Sequence, residues 1–542
     1  MTNGNRTYHV ELAELLHRQG VDTIFGLIGD GNLFFVDHFR SLAGSRYVGA
    51  VHEASAVMMA AGYAAVMNRV GVATVTHGPG LSNALTPLIE CAKSSIPMVL
   101  IAGDTAQKDR FSPQKIAQRP LIVATGAGFE QARSPETLES DLYTAFRRAW
   151  SEKRPIVLNI PIEHTWAQVE PSASPQPIPL VVPSMPPDPE ALDAALGIIM
   201  SVKRPIILAG KGALDAREPL VELAATIGAP LATTAQAKDL FVGEPADLGI
   251  FGSLSTVAAQ QIISESDCII SFGASLNPRT TDDGGLLDGK ALVQCDVDVA
   301  AIANFCAPNA TILGDAALTA TALTQWLRAA ECEPTRFNGP RTTERLVHPE
   351  PAGTAVRSGT VDVQTALRHL DEILPEDRTV VVDVGRFALY ALRVMHAPDA
   401  RSWMWAGAGF AAIGVGMGAA VGTAAARPDR PTVLVAGDGG FMLGGLNEFT
   451  TAVRHGLDVI CVICNDGSYG AEHIQFTGRD LDPSISLFEW PDLAGMADAL
   501  GGAGVRVTNQ KELSALKAFI DERTGPILID LRLDPERVTS SE

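Results

Sequence analysis

Short apolar runs closed by glycine- or aspartate-containing turns alternate with helical segments along this chain, and that alternation limits what it can fold into. Four such runs fall in residues 1–165 (VDTIFGLIG, VGVATVTHGPG, IPMVLIAGD, RPIVLNIP). Four more fall in 189–330 (PIILAGKGA, PLATTA, CIISFGASL, ALVQCDVD) and four in 359–535 (TVVVDVG, TVLVAGDGG, DVICVICNDG, PILIDLRL). Strands of this length separated by helices predict an α/β chain with parallel sheets. Pro-rich stretches at 166–188 and 333–358 read as linkers. The expectation is three doubly wound parallel-sheet domains, 1–165, 189–330 and 359–535, which suits 542 residues at roughly 150 per domain.

Composition excludes several classes of function. At 46% hydrophobic and 19% charged, the chain is not intrinsically disordered. A net charge of −20 with no basic run argues against nucleic acid or an anionic membrane as partner. It does not exclude a phosphorylated ligand, because backbone amides and a metal hold phosphate without a basic surface. Residues 402–426 carry no charge and are long enough to span a bilayer, but their Ala and Gly content suits a helix packed closely inside a core. The start of the chain shows no apolar signal segment, and seven cysteines are few for this length, so a reducing cytoplasm is the expected setting. Cys461 and Cys464 form a C-x-x-C, but inside the run VICVIC they read as residues of a buried strand.

In open α/β sheets, ligands bind beyond the carboxyl ends of strands. The run TVLVA ends in Gly437-Asp438-Gly439-Gly440, and twenty-five residues after Gly439 the run VICVIC ends in Asn465-Asp466-Gly467. Mg²⁺ takes oxygen ligands and shares them with phosphates. Asp438 offers a carboxylate, Asn465 an amide oxygen and Gly467 a backbone carbonyl, while glycines and a helix N-terminus allow phosphate to approach.

This pair of turns resembles the thiamine-diphosphate motif, and the whole chain resembles the family of acetolactate synthase, benzaldehyde lyase and pyruvate decarboxylase, leaning to the acetolactate-synthase-like branch. The resemblance implies pyrimidine-binding, central and pyrophosphate-binding domains in that order. It implies Asp438, Asn465 and the Gly467 carbonyl as Mg²⁺ ligands, and Gly437, Gly439, Gly440, Ser468, Tyr469 and Gly470 as neighbours of the cofactor. Gly385, Arg386 and Phe387 resemble the family's other diphosphate-contacting turn. The segment HEASAVMMAAGYA resembles the family's pattern around its activating glutamate, which assigns that role to Glu53. A carboxyl group on the aminopyrimidine ring nitrogen promotes the imino form that takes the proton from the thiazolium carbon. Alignment of GVGMGAAVG with the family's sequence places Ile413 at the wedge that bends the cofactor, with Ala411 beside it. Met417-Gly418 departs from the family's Leu-Pro, and a plain core isoleucine is the competing reading.

Three loops are expected to line the space for substrate. Gly29 and Asp30 resemble the Gly-Asp turn of pyruvate decarboxylases, where the acid relays protons. Thr76–Asn83 resembles the Thr-x-Gly-Pro-Gly-x-x-Asn segment of acetolactate synthases, with Pro79 and Asn83 near the cofactor and His77 in place of a small residue. His77 is a candidate acid, base or carboxylate anchor. Gln114 and Gln118 resemble that branch's pocket glutamines, and Glu472 and His473 are candidate general acids. The central domain resembles one that binds FAD, on AGKGAL, the segment ending in Arg279 and QCDVD. A bound flavin and a scaffold without one both stay open. The resemblance implies C–C bond making or breaking on a 2-oxo acid or 2-hydroxy ketone, by ylide addition, loss of CO₂ and transfer of the enamine. An acetolactate-synthase-like carboligase (a transferase) is expected first, then a 2-oxo acid decarboxylase, then a lyase of hydroxy ketones or cyclic diones. It also implies a homodimer at minimum and a homotetramer by pairing, with each site shared between chains.

Overall fold

The structure is a computed structural model that describes residues 6–172, 184–346 and 357–537. The middles of both expected linkers, 173–183 and 347–356, lie outside the described residues.

Three six-stranded sheets, parallel throughout, make up the fold. The first contains β1 (Thr23–Gly26), β2 (Arg46–Gly49), β3 (Gly71–Val75), β4 (Met98–Asp104), β5 (Gly128–Gln131) and β6 (Pro155–Pro161), in the order 2-1-3-4-6-5. The middle sheet contains β7 (Pro205–Ala209), β8 (Leu231–Thr233), β9 (Asp247–Ile250), β10 (Cys268–Phe272), β11 (Ala291–Asp296) and β12 (Ala310–Leu313), in the order 9-8-7-10-11-12. The third contains β13 (Thr379–Val382), β14 (Trp403–Trp405), β15 (Thr432–Gly437), β16 (Val459–Asn465), β17 (Ala503–Val507) and β18 (Ile527–Arg532), in the order 14-13-15-16-18-17. The two outer sheets therefore share one topology. The middle sheet has the strand order of dinucleotide-binding folds, which sets fold and not ligand.

Central strands of parallel sheets are covered on both faces, so they read as unbroken apolar runs. β16 is the clearest case: VICVICN is buried at every position, and Cys461 and Cys464 lie within it as free thiols. The uncharged stretch 402–426 divides into the end of a 3₁₀ turn, β14, a loop and a helix of eleven residues. Among the described residues, no helix is long and apolar enough to cross a membrane.

Five helices position the candidate site: α1 (Glu53–Met67), α2 (Leu85–Lys93), α3 (Gly416–Ala426), α4 (Leu446–Arg454) and α5 (Gly470–Thr477). α1 follows β2 in the first sheet and α3 follows β14 in the third, so they are topological equivalents. Both are apolar nearly all round, as helices buried on every side must be. They pack on each other backbone to backbone. A Cβ on Gly62 would lie 2.3 Å from Ala419 O, and one on Gly422 only 1.9 Å from Met59 O. The first and third sheets thereby share one apolar core across this seam.

Gly422→Val should force the two helices apart and destabilise the protein by about 1–3 kcal/mol or more. Calorimetric melting at fixed scan rate checks this. Gly525→Ala, where a Cβ meets nothing within 4 Å, is the control and should melt with the parent.

Candidate active site

Four loops of the first sheet carry its half of the site. The turn after β1 is held by buried Asn32, whose Oδ1 accepts from Gly29 N at 2.7 Å while its Nδ2 donates to Leu27 O and Thr74 Oγ1. That leaves Asp30 exposed at the tip, where its Oδ1 accepts from Thr76 Oγ1 at 3.0 Å. After β3, His77 is buried with Nε2 2.7 Å from Gln114 Oε1 and 3.7 Å from Asp30 Oδ1. A carbonyl oxygen only accepts, so Nε2 carries the proton and the buried, unpartnered Nδ1 is the ring's free acceptor. Gly78 sits at φ +62 with Gln114 O 2.3 Å from where a Cβ would be, so only glycine fits there.

Gln118 differs from the expected pocket residue. Its amide is buried and used on three sides, accepting from Gly78 N (3.0 Å) and donating to Gly103 O (2.9 Å) and Asn159 Oδ1 (2.5 Å). It braces the loop from behind. Glu53 opens α1 and is nearly buried, and its Oε2 accepts from Asn83 Nδ2 at 3.0 Å. Pro79 is exposed, and a Cβ on the next residue, Gly80, would lie 3.5 Å from Glu53 Oε1.

The third sheet carries the other half. The register Gly437↔Cys464 between β15 and β16 sets Asp438 and Asn465 side by side at neighbouring strand ends. Asp438 Oδ2 accepts from Gly467 N at 2.9 Å and from Trp490 Nε1 at 2.7 Å. Asn465 Nδ2 donates to Asp530 Oδ1 at 2.7 Å. With the amide nitrogen turned to Asp530, Asn465 Oδ1 is left buried with no partner, and so is Asp530 Oδ2, whose carboxyl burial pushes up. Burial and then the nearby Asp466 charge push the Asp438 carboxyl up to about 7. Among the described residues no group of three or more His, Cys, Asp or Glu gathers as a metal site. The oxygens brought to these two strand ends are the Asp438 carboxylate and the unpartnered Asn465 amide oxygen, hard donors of the kind Mg²⁺ takes, while the Gly467 carbonyl accepts from Phe488 N at 2.7 Å.

Neighbouring residues hold these turns. Asp383 is buried, with its Oδ2 accepting from Gly414 N at 3.0 Å, and burial pushes it up to about 7 as well. It thereby anchors the loop that carries exposed Ala411 (φ +57) and Ile413. Arg386 pairs with Asp466 at 3.1 Å and lies against Gly470, where a Cβ would come within 2.3 Å of its Nε. Gly385 precedes it in the same turn, and Gly440 packs near Asp383 Oδ2. Ser468 donates through N and Oγ to Asp466 Oδ1, and the Tyr469 ring covers Gly439.

Two expected site residues are turned elsewhere. Phe387 is buried in the core behind the turn, against Gly437 and not facing outward. His473 is buried with both ring nitrogens engaged, Nδ1 to Ser486 Oγ (3.1 Å) and Nε2 to Glu536 Oε1 (2.9 Å), while Glu472 beside it on α5 is exposed.

Two glutamates that sequence reasoning missed join the halves. Glu448 on α4 is fully buried and accepts from Val51 N and His52 N at 3.0 and 2.9 Å, the turn that leads into Glu53. Glu90 on α2 accepts from Gly409 N and Phe410 N at 3.1 and 2.7 Å, the loop that leads to Ile413. α2 follows β3 as α4 follows β15, so the two contacts are equivalent under the pseudo-symmetry of the outer units. Each glutamate sits in an ordinary helical pattern, and no local signal marks it.

Residues 6–122 match the family described as "Thiamine pyrophosphate enzyme, N-terminal TPP binding domain", 192–323 its central domain and 383–531 its C-terminal TPP binding domain. Relatives span nearly the whole chain. An acetolactate synthase of Mycobacterium bovis is 29% identical over 92% of this chain and 83% of its own. A protein of Pseudomonas aeruginosa described as "Probable 2-ketoarginine decarboxylase AruI" is 28% identical over 96% of this chain and 93% of its own. A sulfoacetaldehyde acetyltransferase of Rhodobacter capsulatus is 27% identical over 94% and 91%.

The carboxyl of Asp438 gives a pH signature. Its pKa in the fold, about 7, lies above the value near 4 of an unfolded chain, so its neutral form is favoured on folding. That advantage is complete below about pH 4 and is lost as pH rises through 7. In chelator-treated protein, Asp438→Asn should therefore melt above the parent at pH 8, by on the order of a few kcal/mol, with the two curves converging toward pH 4. Melting temperature against pH for the two proteins is the measurement.

Proposed function

Because the chain belongs to the thiamine pyrophosphate enzyme family, we propose that it is a Mg²⁺-dependent carboligase of 2-oxo acids, of the acetolactate synthase type. The observation that carries this reading is the buried, unpartnered Asn465 oxygen beside the Asp438 carboxylate. An orphaned acceptor next to a destabilised acid is a poor arrangement for a protein alone and a good one around a cation.

Bound thiamine diphosphate supplies a nucleophilic carbon that adds to a carbonyl and holds the electron pair when the adjoining C–C bond breaks. Asp438, Asn465 and the Gly467 carbonyl would hold the cation, with Gly439, Gly440 and the Ser468–Gly470 backbone near the diphosphate. Glu53, steadied by Asn83, would hold the aminopyrimidine and move a proton at its ring nitrogen. Ile413, on a loop anchored by Asp383 and Glu90, would support the bent cofactor. Asp30, Thr76, His77 and Gln114 form a connected polar set in the loops after β1, β3 and β4, in which the free His77 Nδ1 would take and return a proton. No step calls on a flavin. The acetolactate synthase and acetyltransferase relatives support transfer to a second acceptor. A 2-oxo acid decarboxylase is the second reading, favoured by Asp30 lying beside His77 and by the relative from Pseudomonas aeruginosa. Seven unpaired thiols suit a reducing, cytoplasmic setting.

Mass spectrometry of products from pyruvate, longer and aromatic 2-oxo acids, each with and without an aldehyde, separates the readings. Carboligation yields hydroxy ketones or acetohydroxy acids, and decarboxylation yields free aldehyde. No turnover of any 2-oxo acid would remove both.

We further propose that the complete site forms between two chains. Within one chain the seam and the two glutamate contacts join the outer units, while apolar Val51, Phe410, Ile413 and Leu443 around the site loops stay exposed. Glu53→Gln and Asp438→Ala should each be inactive alone. A hybrid dimer of the two would hold one doubly altered site and one intact site, so mixing should regenerate activity. Confirmed subunit exchange with no activity would disprove the shared site.

A further inference from the structure

A strap of chain after α5 reaches all the way to the proposed cation site. Residues 486–490 are zipped onto the 467–469 turn: Tyr469 N donates to Ser486 O at 2.9 Å, Phe488 N donates to Gly467 O at 2.7 Å, and Ser468 forms an antiparallel bridge with Leu487. The Phe488 ring stacks on Trp490 (centroids 4.9 Å apart, planes 11° apart) and meets Tyr469 edge-on at 4.7 Å. Tyr469 in turn covers Gly439. The strap thus touches the backbone of one proposed ligand, Gly467, and ends with an indole on the carboxylate of another.

The direction of that last bond matters. Asp438 Oδ2 faces two donors, Gly467 N–H and Trp490 Nε1–H, and Trp490 is the only one of the two that belongs to a side chain. A third donor, Gly439 N–H, also faces the carboxyl from the backbone, and with Oδ2 taken by Gly467 and Trp490, Oδ1 is the oxygen that can face a cation. An indole can donate but not accept, so it cannot compete for the metal. Its ring is only partly buried and is held by the Phe488 stack, which makes its position a product of the strap and not of the core.

The geometry points to Trp490 as a positioning residue for the cation site, one that fixes the Asp438 carboxylate by donating to Oδ2 and presenting Oδ1. The inference rests on the function proposed above. Groups that orient metal ligands in this way typically change metal affinity 10- to 100-fold when removed.

The test measures thiamine diphosphate bound to chelator-stripped protein by equilibrium dialysis as Mg²⁺ is raised. Trp490→Phe keeps the stack and deletes the N–H. It should raise the half-saturating Mg²⁺ concentration at least tenfold while the metal-free protein melts with the parent. Trp490→His, which retains a ring N–H, should fall between the two. Parent-like Mg²⁺ dependence in Trp490→Phe would sink the inference. So would weakened binding accompanied by an equal loss of melting temperature in the metal-free protein and no recovery in Trp490→His, since that is the signature of packing alone. A parent that retains no cofactor at any Mg²⁺ concentration would instead sink the function on which the inference stands.

Discussion

The contact between α1 and α3 is the constraint on which the rest of the structure depends. Two equivalent helices from two equivalent sheets meet at glycines so closely that a single methyl group on either side would overlap a carbonyl oxygen. Close packing of this kind is unforgiving of volume but defines position tightly. From that seam hang both halves of the candidate site. Glu53 is the first residue of α1, and the loop carrying Ile413 runs directly into α3. The buried carboxylates of Glu448 and Glu90 then tie each of these loops to the opposite unit through two backbone N–H groups apiece. Hydrogen bonds to a charged acceptor are the stronger kind, about 1.5–3 kcal/mol each. The relation between the two units is thus set at the loops themselves as well as in the core.

The third unit departs from what packing alone would favour. Asp383 and Asp438 are both buried acids pushed up to about 7, and Asn465 leaves an acceptor unmet. Asp383 is compensated by backbone donors from Val384 and Gly414–Gly416, which is the structural use of a buried carboxylate. Asp438 lies next to a second acid, Asp466, whose own partner is Arg386. Asp438 also has donors, Gly439 N, Gly467 N and Trp490 Nε1, so what sets it apart is the second acid beside it and the unmet Asn465 acceptor, the features on which the proposed cation site rests. Perturbed acids at strand ends are where function concentrates.

The legible part of the fold is its centre. In each sheet the four strands readable from apolar runs are the four inner ones, and the six not readable are the six edges: β2, β5, β9, β12, β14 and β17. Edge strands are short and covered on fewer sides, so their sequences, such as RYVG and ATIL, lack a continuous apolar run. The site divides in the same manner. The places of Asp438, Asn465 and Gly467 at strand ends were legible from turn spacing, and that of Glu53 from the resemblance of its segment to the family's pattern. Gln118, Phe387 and His473 lie where the sequence placed them along the chain, but their side chains are committed to a brace, a core and a bracket. Direction of a side chain depends on distant partners such as Asn159 and Glu536 that no local pattern announces. Trp490, Glu90 and Glu448 were invisible for the same reason, since each acts on a segment hundreds of residues away or on a turn from the far side of a loop.

Central to the proposed function is a cation held between the ends of β15 and β16. Anomalous diffraction from crystals grown with thiamine diphosphate and Mn²⁺ in place of Mg²⁺ addresses that point directly. One strong peak per chain is expected, roughly 2 Å from Asp438 Oδ1, Asn465 Oδ1 and Gly467 O. A peak elsewhere, or an Asn465 amide that keeps its oxygen turned from bound metal, would contradict it.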